Sequence, residues 1–382
     1  MPAYITDIAS FLPNEPVSND MMEERLGMVN QIPSRTRRII LRNNRIEKRH
    51  YAIDPATGQA THTNAQLTAE AIRCLKPTAG FTLGQIECLC CGTSSPDQLM
   101  PGHGPMVHGE LGGEPCEILS AAGICTAGMS ALKYAWMSIV SGQSRNAVAT
   151  GSELASSFMK ASFCGAIDPQ KIIQLNDQPG LSFDADFLRW MLSDGAGAAF
   201  LSNQPAETGL SLRIDWIDLL SFANEMETCM YAGAIKQEDG SLKGWREQGS
   251  LPQALAKDSF LVKQDVKLLN QEIITTAVER TLPRLIAKHQ LDANQIDWFL
   301  PHYSSDYFRS ALHDRMVQIG FGIPFERWFT NLAEKGNTGS ASIYIILEEL
   351  FHSGRLKKGE KLLCFIPESG RFSMCYMQLT VV

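Results

Sequence analysis

The fold is decided by the stretch ILSAAGICTAGMSALKYAWMSIVSGQSRNAVAT at residues 118–150. A short apolar run leads into a turn of small residues around Cys125, and the apolar spacing that follows predicts a helix ending at the Ser-Gly pair 141–142. A basic link and a second buried strand come next. Strand, turn, helix and strand in this order indicate an α/β protein with buried, largely parallel strands.

A second stretch repeats this order, NTGSASIYIILEELFHSGRLKKGEKLLCFI at residues 337–366. A turn of small residues opens at Asn337, and the predicted helix ends at the Ser-Gly pair 353–354, before a basic link and a strand. Ahead of this stretch, a further helix is predicted after Pro324. Both Ser-Gly pairs lie sixteen and seventeen residues beyond Cys125 or Asn337. The match predicts a duplication into halves 1–205 and 206–382, with both helix N-termini pointing at one centre.

Composition limits the class of protein. The 382 residues carry a net charge of -7, with 44% hydrophobic and 20% charged residues, as in an ordinary globular enzyme. The acidic balance argues against nucleic acid as the main partner. No apolar run is long enough to cross a membrane, and the first residues lack a signal-peptide pattern. We therefore expect a cytoplasmic protein with no nucleic-acid or membrane partner.

The cysteine and histidine patterns do not favour a metal site. Cys88 and Cys91 form an isolated CxxC in a predicted buried strand. His103 and His108 lie in a Pro/Gly-rich stretch that we predict to be a surface loop or an interface. We expect no metal and no bound cofactor.

A basic segment follows the first predicted strand. It is either a solvated face or a docking surface for an anionic carrier or a phosphate-bearing ligand, and the sequence leaves both open. Its members are Arg35, Arg37, Arg38, Arg42, Arg45, Lys48, Arg49 and His50.

Cys125 is the candidate nucleophile. It lies on a turn between a strand and a helix, and a helix N-terminus favours the thiolate that attacks carbonyl groups. Small neighbours leave room for a thioester beside the backbone. The alternative is that Cys125 is a small core residue.

His302, Asn337 and Gly370 are the candidate partners of Cys125. His302 follows an apolar strand, where an imidazole can donate a hydrogen bond to a carbonyl or activate a thiol. Asn337 is either a helix N-cap or an amide donor to a thioester carbonyl. Gly370 lies in a predicted hairpin turn, and its N–H could form an oxyanion hole with that of Cys125.

Taken in order, four motifs resemble those of the β-ketoacyl-carrier-protein synthase III family: GICTAG at 123–128, LPHYS at 300–304, KGNTGSAS at 335–342 and SGRF at 369–372. Weaker matches extend the resemblance over nearly the whole chain: NRIEKRH at 44–50, CGTSSPD at 91–97, ATGSE at 149–153 and SDGAGAA at 193–199. The resemblance implies a thiolase-like, duplicated five-layer αβαβα fold.

The resemblance also implies a reaction. Cys125 takes an acyl group from acyl-CoA or from an acyl carrier protein, and His302 and Asn337 hold a second thioester while it becomes a carbanion. Attack on the acyl group then forms a carbon–carbon bond. The family's homodimer implies that residues 100–113 contribute to the acyl pocket of the partner.

Some positions depart from the family pattern. Ile39 occupies the place of a tryptophan that stacks on the CoA adenine, Tyr303-Ser304-Ser305 replaces Gln-Ala-Asn, and the glycine-rich final turn is reduced to Ser-Gly-Arg. These departures favour a specialised member of secondary metabolism, of the dialkylresorcinol or alkylquinolone kind. A non-condensing acyltransferase and a partner subunit of a heteromeric synthase remain the alternatives.

Overall fold

A nine-stranded sheet organises the chain in the computed structural model, which describes residues 1–31, 33–34, 36–78, 80–164 and 187–382. The strands are β1 Tyr4–Phe11, β2 Val17–Ser18, β3 Lys48–Arg49, β4 Cys88–Thr93, β5 Glu117–Ala122, β6 Asn146–Glu153, β7 Gly195–Ser202, β8 Leu212–Ser221, β9 Met230–Tyr231, β10 Ala234–Lys236, β11 Leu242–Gly244, β12 Lys263–Gln264, β13 Trp298–Pro301, β14 Lys361–Glu368 and β15 Ser373–Val381.

The α-helices of the described residues are Met22–Leu26, Arg37–Asn44, Asn64–Arg73, His103–Leu111, Ala127–Ser141, Ser156–Met159, Leu251–Ala256, Val266–Ile274, Leu282–His289, Tyr307–Gln318, Leu332–Lys335 and Ser342–His352. A π-helical segment, Thr275–Thr281, joins two of them. We call Ala127–Ser141 the Cys125 helix and Ser342–His352 the Asn337 helix.

Four strands of each half follow the same order, and β5 at the edge of the first half has no counterpart in the second. The large sheet runs β13-β14-β15-β8-β1-β7-β6-β4-β5. In the first half, β4 is parallel to β6, and β6, β7 and β1 pair antiparallel. In the second, β13 is parallel to β14, and β14, β15 and β8 pair antiparallel. The halves join where β1 meets β8.

The predicted boundary between residues 205 and 206 falls in the link between β7 and β8. The repeated strand order agrees with a duplication, and the division of the chain into two domains stays a prediction.

Helices cover both faces of each half of the sheet, which gives five layers. The Cys125 and Asn337 helices lie in the middle, packed with inward residues of both halves. Helices Asn64–Arg73 and His103–Leu111 cover the outer face of the first half. Helices Val266–Ile274, Leu282–His289 and Tyr307–Gln318 contribute to the core on the outer face of the second. Strands buried on both faces read as continuous apolar runs, which is why the sequence marks them clearly. The predicted α/β fold is confirmed.

Glycines allow the two central turns to approach each other. A Cβ added at Gly151 would lie 2.2 Å from the Ser340 carbonyl oxygen, and one added at Gly128 would lie 2.5 Å from the same atom. Both distances are far shorter than a carbon can approach an oxygen without moving the backbone. The phenol of Tyr344 closes the contact by donating to the Gly128 carbonyl at 2.8 Å.

Three local predictions are wrong. His103 and His108 lie on a helix rather than in a loop, and His103 is buried, with Nε2 3.1 Å from the hydroxyl oxygens of Thr68 and Ser152. A helix expected after Pro324 is a single 3₁₀ turn, Phe325–Arg327. Asn337 does not open an α-helix directly, because a 3₁₀ turn, Gly339–Ala341, precedes Ser342.

Tertiary contacts explain the short turn after Pro324. Trp328 packs edge-on against Phe299 with ring centroids 4.9 Å apart, and the Phe329 N–H donates to the Phe299 carbonyl at 2.9 Å. These contacts hold the backbone extended at the point where local propensity would continue a helix.

Most described residues of the basic segment have structural partners. Arg37 pairs with Asp20 and Glu23, and Lys48 pairs with Glu334. Arg45 pairs with Asp306, and Arg49 is fully buried, donating to Asn19 Oδ1 and the Trp190 carbonyl. Arg38 and Arg42 are exposed, and Arg35 lies outside the described residues. No helix in the described part of the chain is long and apolar enough to cross a membrane.

Candidate active site

One cavity contains Cys125, His302 and Asn337 in its wall, with about 840 Å³ of empty space that is partly open to solvent. The three residues are up to 212 positions apart in the chain. The structure therefore brings together the three residues that the sequence selected one by one. Gly370 is not among the lining residues, although its neighbour Ser369 is.

Cys125 lies on the turn that starts the Cys125 helix. The Ala127 N–H donates to the Ile124 carbonyl at 3.1 Å, which closes the turn, and Thr126 precedes the first helical residue. Cys125 is partly exposed and lines the cavity. Burial raises the pKa of the Cys125 thiol well above its usual range, and the carboxylates of Glu368 and Glu153 raise it further. The resting residue is therefore a neutral thiol.

His302 follows β13 and is buried. Its backbone N–H donates to the Phe365 carbonyl at 2.8 Å, which fixes the residue beside β14. Burial lowers the pKa of the imidazole to about 4, so His302 is neutral at physiological pH. No described residue hydrogen-bonds to its ring, which leaves a ring N–H available to a ligand carbonyl.

Asn337 is held by three hydrogen bonds. Its N–H donates to the Met191 carbonyl at 3.0 Å, and its carbonyl accepts from the Ser193 N–H at 2.8 Å. Its Oδ1 accepts from the Gly339 N–H at 3.0 Å. Because only oxygen can accept that bond, the orientation of the side-chain amide is fixed and Nδ2 is left to donate into the cavity. Asn337 thus caps a 3₁₀ turn and presents a neutral donor at the same time.

Gly370 lies in the turn between β14 and β15, next to the Cys125 turn. A Cβ added there would lie 2.9 Å from Ile124 Cδ1, so a side chain would push against the neighbour of Cys125. Among the residues that the structure describes, none accepts a hydrogen bond from the Gly370 or Cys125 N–H. Gly370 O accepts from the N–H groups of Cys229 and Met230. The turn is a hairpin, and its role as an oxyanion hole stays a prediction.

Two buried glutamates beside the site escaped sequence reasoning. Glu153 lines the cavity, and Glu368 contacts the Cys125 turn from outside it. The signal was present in the repeat, because each glutamate is the last residue of an equivalent strand. It could not be used without knowing that the ends of β6 and β14 meet.

The remainder of the cavity is largely apolar. Phe158 and Phe187 line one side. Leu269 and Ile273 of helix Val266–Ile274, together with Leu312 of helix Tyr307–Gln318, line another. Tyr303 and Ser304, two of the residues that depart from the family pattern, also reach the cavity, whereas Ile39 is exposed on the surface. A large apolar pocket with a few convergent polar groups is the usual form of a small-molecule site.

Within the described ranges, no group of three or more His, Cys, Asp or Glu side chains is arranged to hold a metal ion.

Comparisons with known proteins agree with this geometry. The model of the 3-oxoacyl-[acyl-carrier-protein] synthase III C-terminal region matches residues 286–366, which include His302 and Asn337. β-Ketoacyl-[acyl-carrier-protein] synthase III of Xanthomonas oryzae pv. oryzae is 26% identical over 364 residues, covering 94% of this chain and 92% of the relative. That of Rhodobacter capsulatus is also 26% identical, covering 94% of each chain.

This chain is thus similar to ketosynthase III proteins over nearly its whole length.

Solved structures show the shared fold at lower identity. The tetronic acid condensing enzyme AbyA1 superposes with a TM-score of 0.74 at 20% identity, covering 99% of both chains. OleA of Xanthomonas campestris, solved with lauric acid and lauroyl-CoA, gives 0.73 at 18% identity, covering 100% of this chain and 99% of that one. The chain therefore shares the thiolase-like α/β fold of these structures, as the motif order implied. The relatives are condensing enzymes of the transferase class that use acyl thioesters.

Proposed function

We propose that this ketosynthase III-type protein joins two acyl thioesters by a Claisen condensation, with Cys125 as the acyl carrier. The observation that carries the proposal is the combination in one cavity wall of a thiol and two neutral hydrogen-bond donors, His302 and Asn337. Two donors aimed at one carbonyl oxygen stabilise an enolate, and such preorganised donors supply a large share of catalysis.

The first step is acyl transfer to Cys125. Its sulfur attacks the thioester carbonyl of acyl-CoA or of an acyl carrier protein, the carbon–sulfur bond of the donor breaks, and the donor thiol leaves with the thiol proton. The N–H groups of Cys125 and Gly370 are the proposed donors to the oxyanion. Their lack of acceptors among described residues supports this assignment.

In the second step a second thioester binds with its carbonyl oxygen at His302 and Asn337. Decarboxylation or loss of an α-proton leaves an electron pair on its α-carbon. That carbon attacks the acyl-Cys125 carbonyl, the carbon–carbon bond forms, and Cys125 leaves as a thiolate that takes up a proton. The product is a β-keto thioester.

The cavity favours acyl groups with long alkyl chains. Its apolar wall extends from Cys125 to helices Val266–Ile274 and Tyr307–Gln318, and each buried methylene contributes about 0.8 kcal/mol. An apolar wall that reaches both helices supports a specialised condensation of the dialkylresorcinol kind, in which a β-ketoacyl thioester is joined to a second acyl chain.

A second copy of the chain and a carrier protein are the proposed partners. Strand β5 is the outer edge of the sheet, and Leu99 and Met100, shortly before Gly102 and Gly104, which lie against β5, are 74% and 75% exposed. An edge strand beside exposed apolar side chains supports a homodimer in which residues 100–113 reach the partner. Exposed Arg38 and Arg42 support docking of a phosphate-bearing carrier or CoA.

Intact-mass spectrometry with a panel of acyl-CoAs and acyl carrier proteins tests the first step. We expect an adduct on Cys125 with long-chain donors, followed by a β-keto product when malonyl or β-ketoacyl thioester is added. Transfer of the acyl group to an alcohol or amine, with no carbon–carbon product, would instead establish the acyltransferase alternative. Activity only with a second, different subunit present would establish the heteromeric alternative.

Chain-length selection tests the assignment of the cavity. Leu269→Phe adds volume to the apolar wall, so the chain length that acylates fastest should become shorter. Leu255→Phe, at a leucine that is 57% exposed, is the matched control and should leave the preference unchanged. An unchanged preference in both variants would place the alkyl chain elsewhere.

A further inference from the structure

Two glutamates are the last residues of equivalent strands, and the side chain of each accepts hydrogen bonds from the opposite half of the molecule. Glu153 is the last residue of β6, and its Oε1 accepts from the Ser340 N–H at 3.1 Å, in the turn that follows Asn337. Glu368 is the last residue of β14, and its Oε2 accepts from the N–H groups of Ile124 and Thr126 at 3.1 Å each. A glutamate of each half therefore fixes, by hydrogen bonds, the central turn of the other half.

Glu368 accepts hydrogen bonds from the backbone N–H groups on both sides of Cys125. The Thr126 hydroxyl also donates to Glu368 Oε2, so three donors converge on one carboxylate oxygen. Thr126 precedes the Cys125 helix, yet its side chain makes no capping bond within the helix. Donors at a helix start need acceptors, and here a residue 242 positions away supplies them. The Cys125 N–H, between the two fixed groups, donates to no other described residue.

The charge of Glu368 acts on the same cysteine. The titratable groups that face Cys125 are Glu153, His302 and Tyr303 in the cavity wall and Glu368 at the turn. Within the described ranges, no lysine or arginine lines this wall to compensate the carboxylates. After burial, Glu368 is the largest cause that raises the pKa of the Cys125 thiol. A carboxylate at a helix N-terminus thus opposes the stabilisation that the helix would give a thiolate.

We propose that Glu368 is a positioning residue with two separable effects on Cys125. Its hydrogen bonds fix residues 124–126 so that the Cys125 N–H stays available to the thioester oxygen, an effect that rests on the proposed condensing function. Its negative charge keeps Cys125 in the thiol form between turnovers, which protects the nucleophile from oxidants and stray electrophiles that react with thiolates.

Two substitutions separate these effects. Glu368→Gln keeps a side-chain oxygen in place of Oε2 and removes the charge, whereas Glu368→Asp keeps the charge and withdraws the acceptor by one methylene. Glu348→Gln is the matched control, because Glu348 is a partly buried glutamate bonded to Ser10 and remote from the cavity lining.

The effect of the Glu368 charge on the Cys125 thiol is measured by alkylating Cys125 with iodoacetamide from pH 6 to 9 and following the intact mass. Only the thiolate reacts, so removing a nearby negative charge moves the profile to lower pH. We expect Glu368→Gln to react about threefold faster or more at pH 7, and Glu368→Asp and Glu348→Gln to follow the unmodified protein. A Glu368→Gln profile that overlays that of the control overturns the charge effect.

The rate of Cys125 acylation at saturating acyl thioester measures how well Glu368 positions the Cys125 N–H. We expect the maximal rate to fall about tenfold in Glu368→Asp, with KM within about twofold, because misplacing an oxyanion donor costs rate more than binding. Glu368→Gln should stay within about threefold of the unmodified protein. Acylation of Glu368→Asp at the unmodified rate overturns the positioning effect. If no thioester acylates the unmodified protein, the proposed function fails, while the alkylation result still stands.

Discussion

The two halves of this protein share one scaffold but place different chemistry on it. In both halves a turn of small residues opens a central helix, and an eight-residue strand ending in glutamate follows. Cys125 lies two residues before its helix, on a turn held by Glu368. Asn337 lies five residues before its helix, because a 3₁₀ turn intervenes and uses Asn337 Oδ1 as its cap. One turn therefore presents a reactive sulfur, and the other presents a fixed amide.

The comparison shows how a repeated fold becomes an asymmetric site. The backbone of each half brings its turn to the centre, where Gly128 and Gly151 allow the halves to touch. The side chain at the turn then decides between covalent and hydrogen-bonding roles. Substitutions that remove the contribution of one half at a time test this division between covalent and hydrogen-bonding roles.

The largest expected effect is loss of the first half's nucleophile. Cys125→Ala should abolish the acyl adduct completely, since Cys125 is the one cysteine among the described residues that line the cavity. Intact mass after incubation with a long-chain acyl-CoA measures the adduct. Cys116→Ala, at a partly exposed cysteine outside the cavity lining, is the control and should acylate normally. A persisting adduct in Cys125→Ala would move the nucleophile to another residue.

Loss of the second half's donor should leave the first half working. Asn337→Ala should still acylate Cys125 but form the carbon–carbon product about 100-fold more slowly or less, the cost typical of removing one preorganised donor to an oxyanion. Separate assays of adduct mass and product measure the two steps. Asn294→Ala, at a surface turn, should change neither. Equal loss of both steps would contradict the division of labour between the halves.

A methyl group between the halves should weaken their contact. Gly151→Ala places a carbon against the Ser340 carbonyl, so we expect a loss of about 2 kcal/mol in the free energy of unfolding, as for other overpacked cores. Urea denaturation monitored by fluorescence measures it. A Cβ at Gly84 would lie 3.4 Å from Glu114 Cγ and 3.9 Å from the Glu114 backbone nitrogen, which are ordinary contacts, so Gly84→Ala should stay within about 0.5 kcal/mol. Equal stability of the two variants would show that the halves can move apart without cost.

The smallest expected effect is a contrast in pH dependence. Burial lowers the pKa of His302 to about 4, so the imidazole is neutral above that pH and the condensation step on pre-acylated protein should change less than about twofold between pH 8 and 5.5. Alkylation of Cys125 should instead rise steadily from pH 6 to 9, because the pKa of its thiol lies above the usual range. A condensation rate that falls through pH 6.5 would mean that His302 titrates as a solvated imidazole.

Local sequence patterns predicted much of the fold. The strands around Leu89, Val148 and Leu363 and both central helices were predicted within a few residues, because residues buried on both faces of a sheet leave continuous apolar runs. The pattern failed after Pro324, where contacts of Trp328 with β13 override helix propensity. The helix at His103 was missed because its glycines and proline read as a loop.

The site, like the fold, could be predicted from local sequence only in part. Sequence patterns alone identified Cys125, His302 and Asn337 as candidates, because each follows a predicted strand or starts a turn of small residues, and such positions are visible within about ten residues of chain. The folded chain was needed to show that these residues share a cavity, that Asn337 keeps Nδ2 free and that Glu368 holds the Cys125 turn. Those facts depend on contacts between residues up to 242 positions apart, and a buried carboxylate gives no local sign of the donors that will surround it.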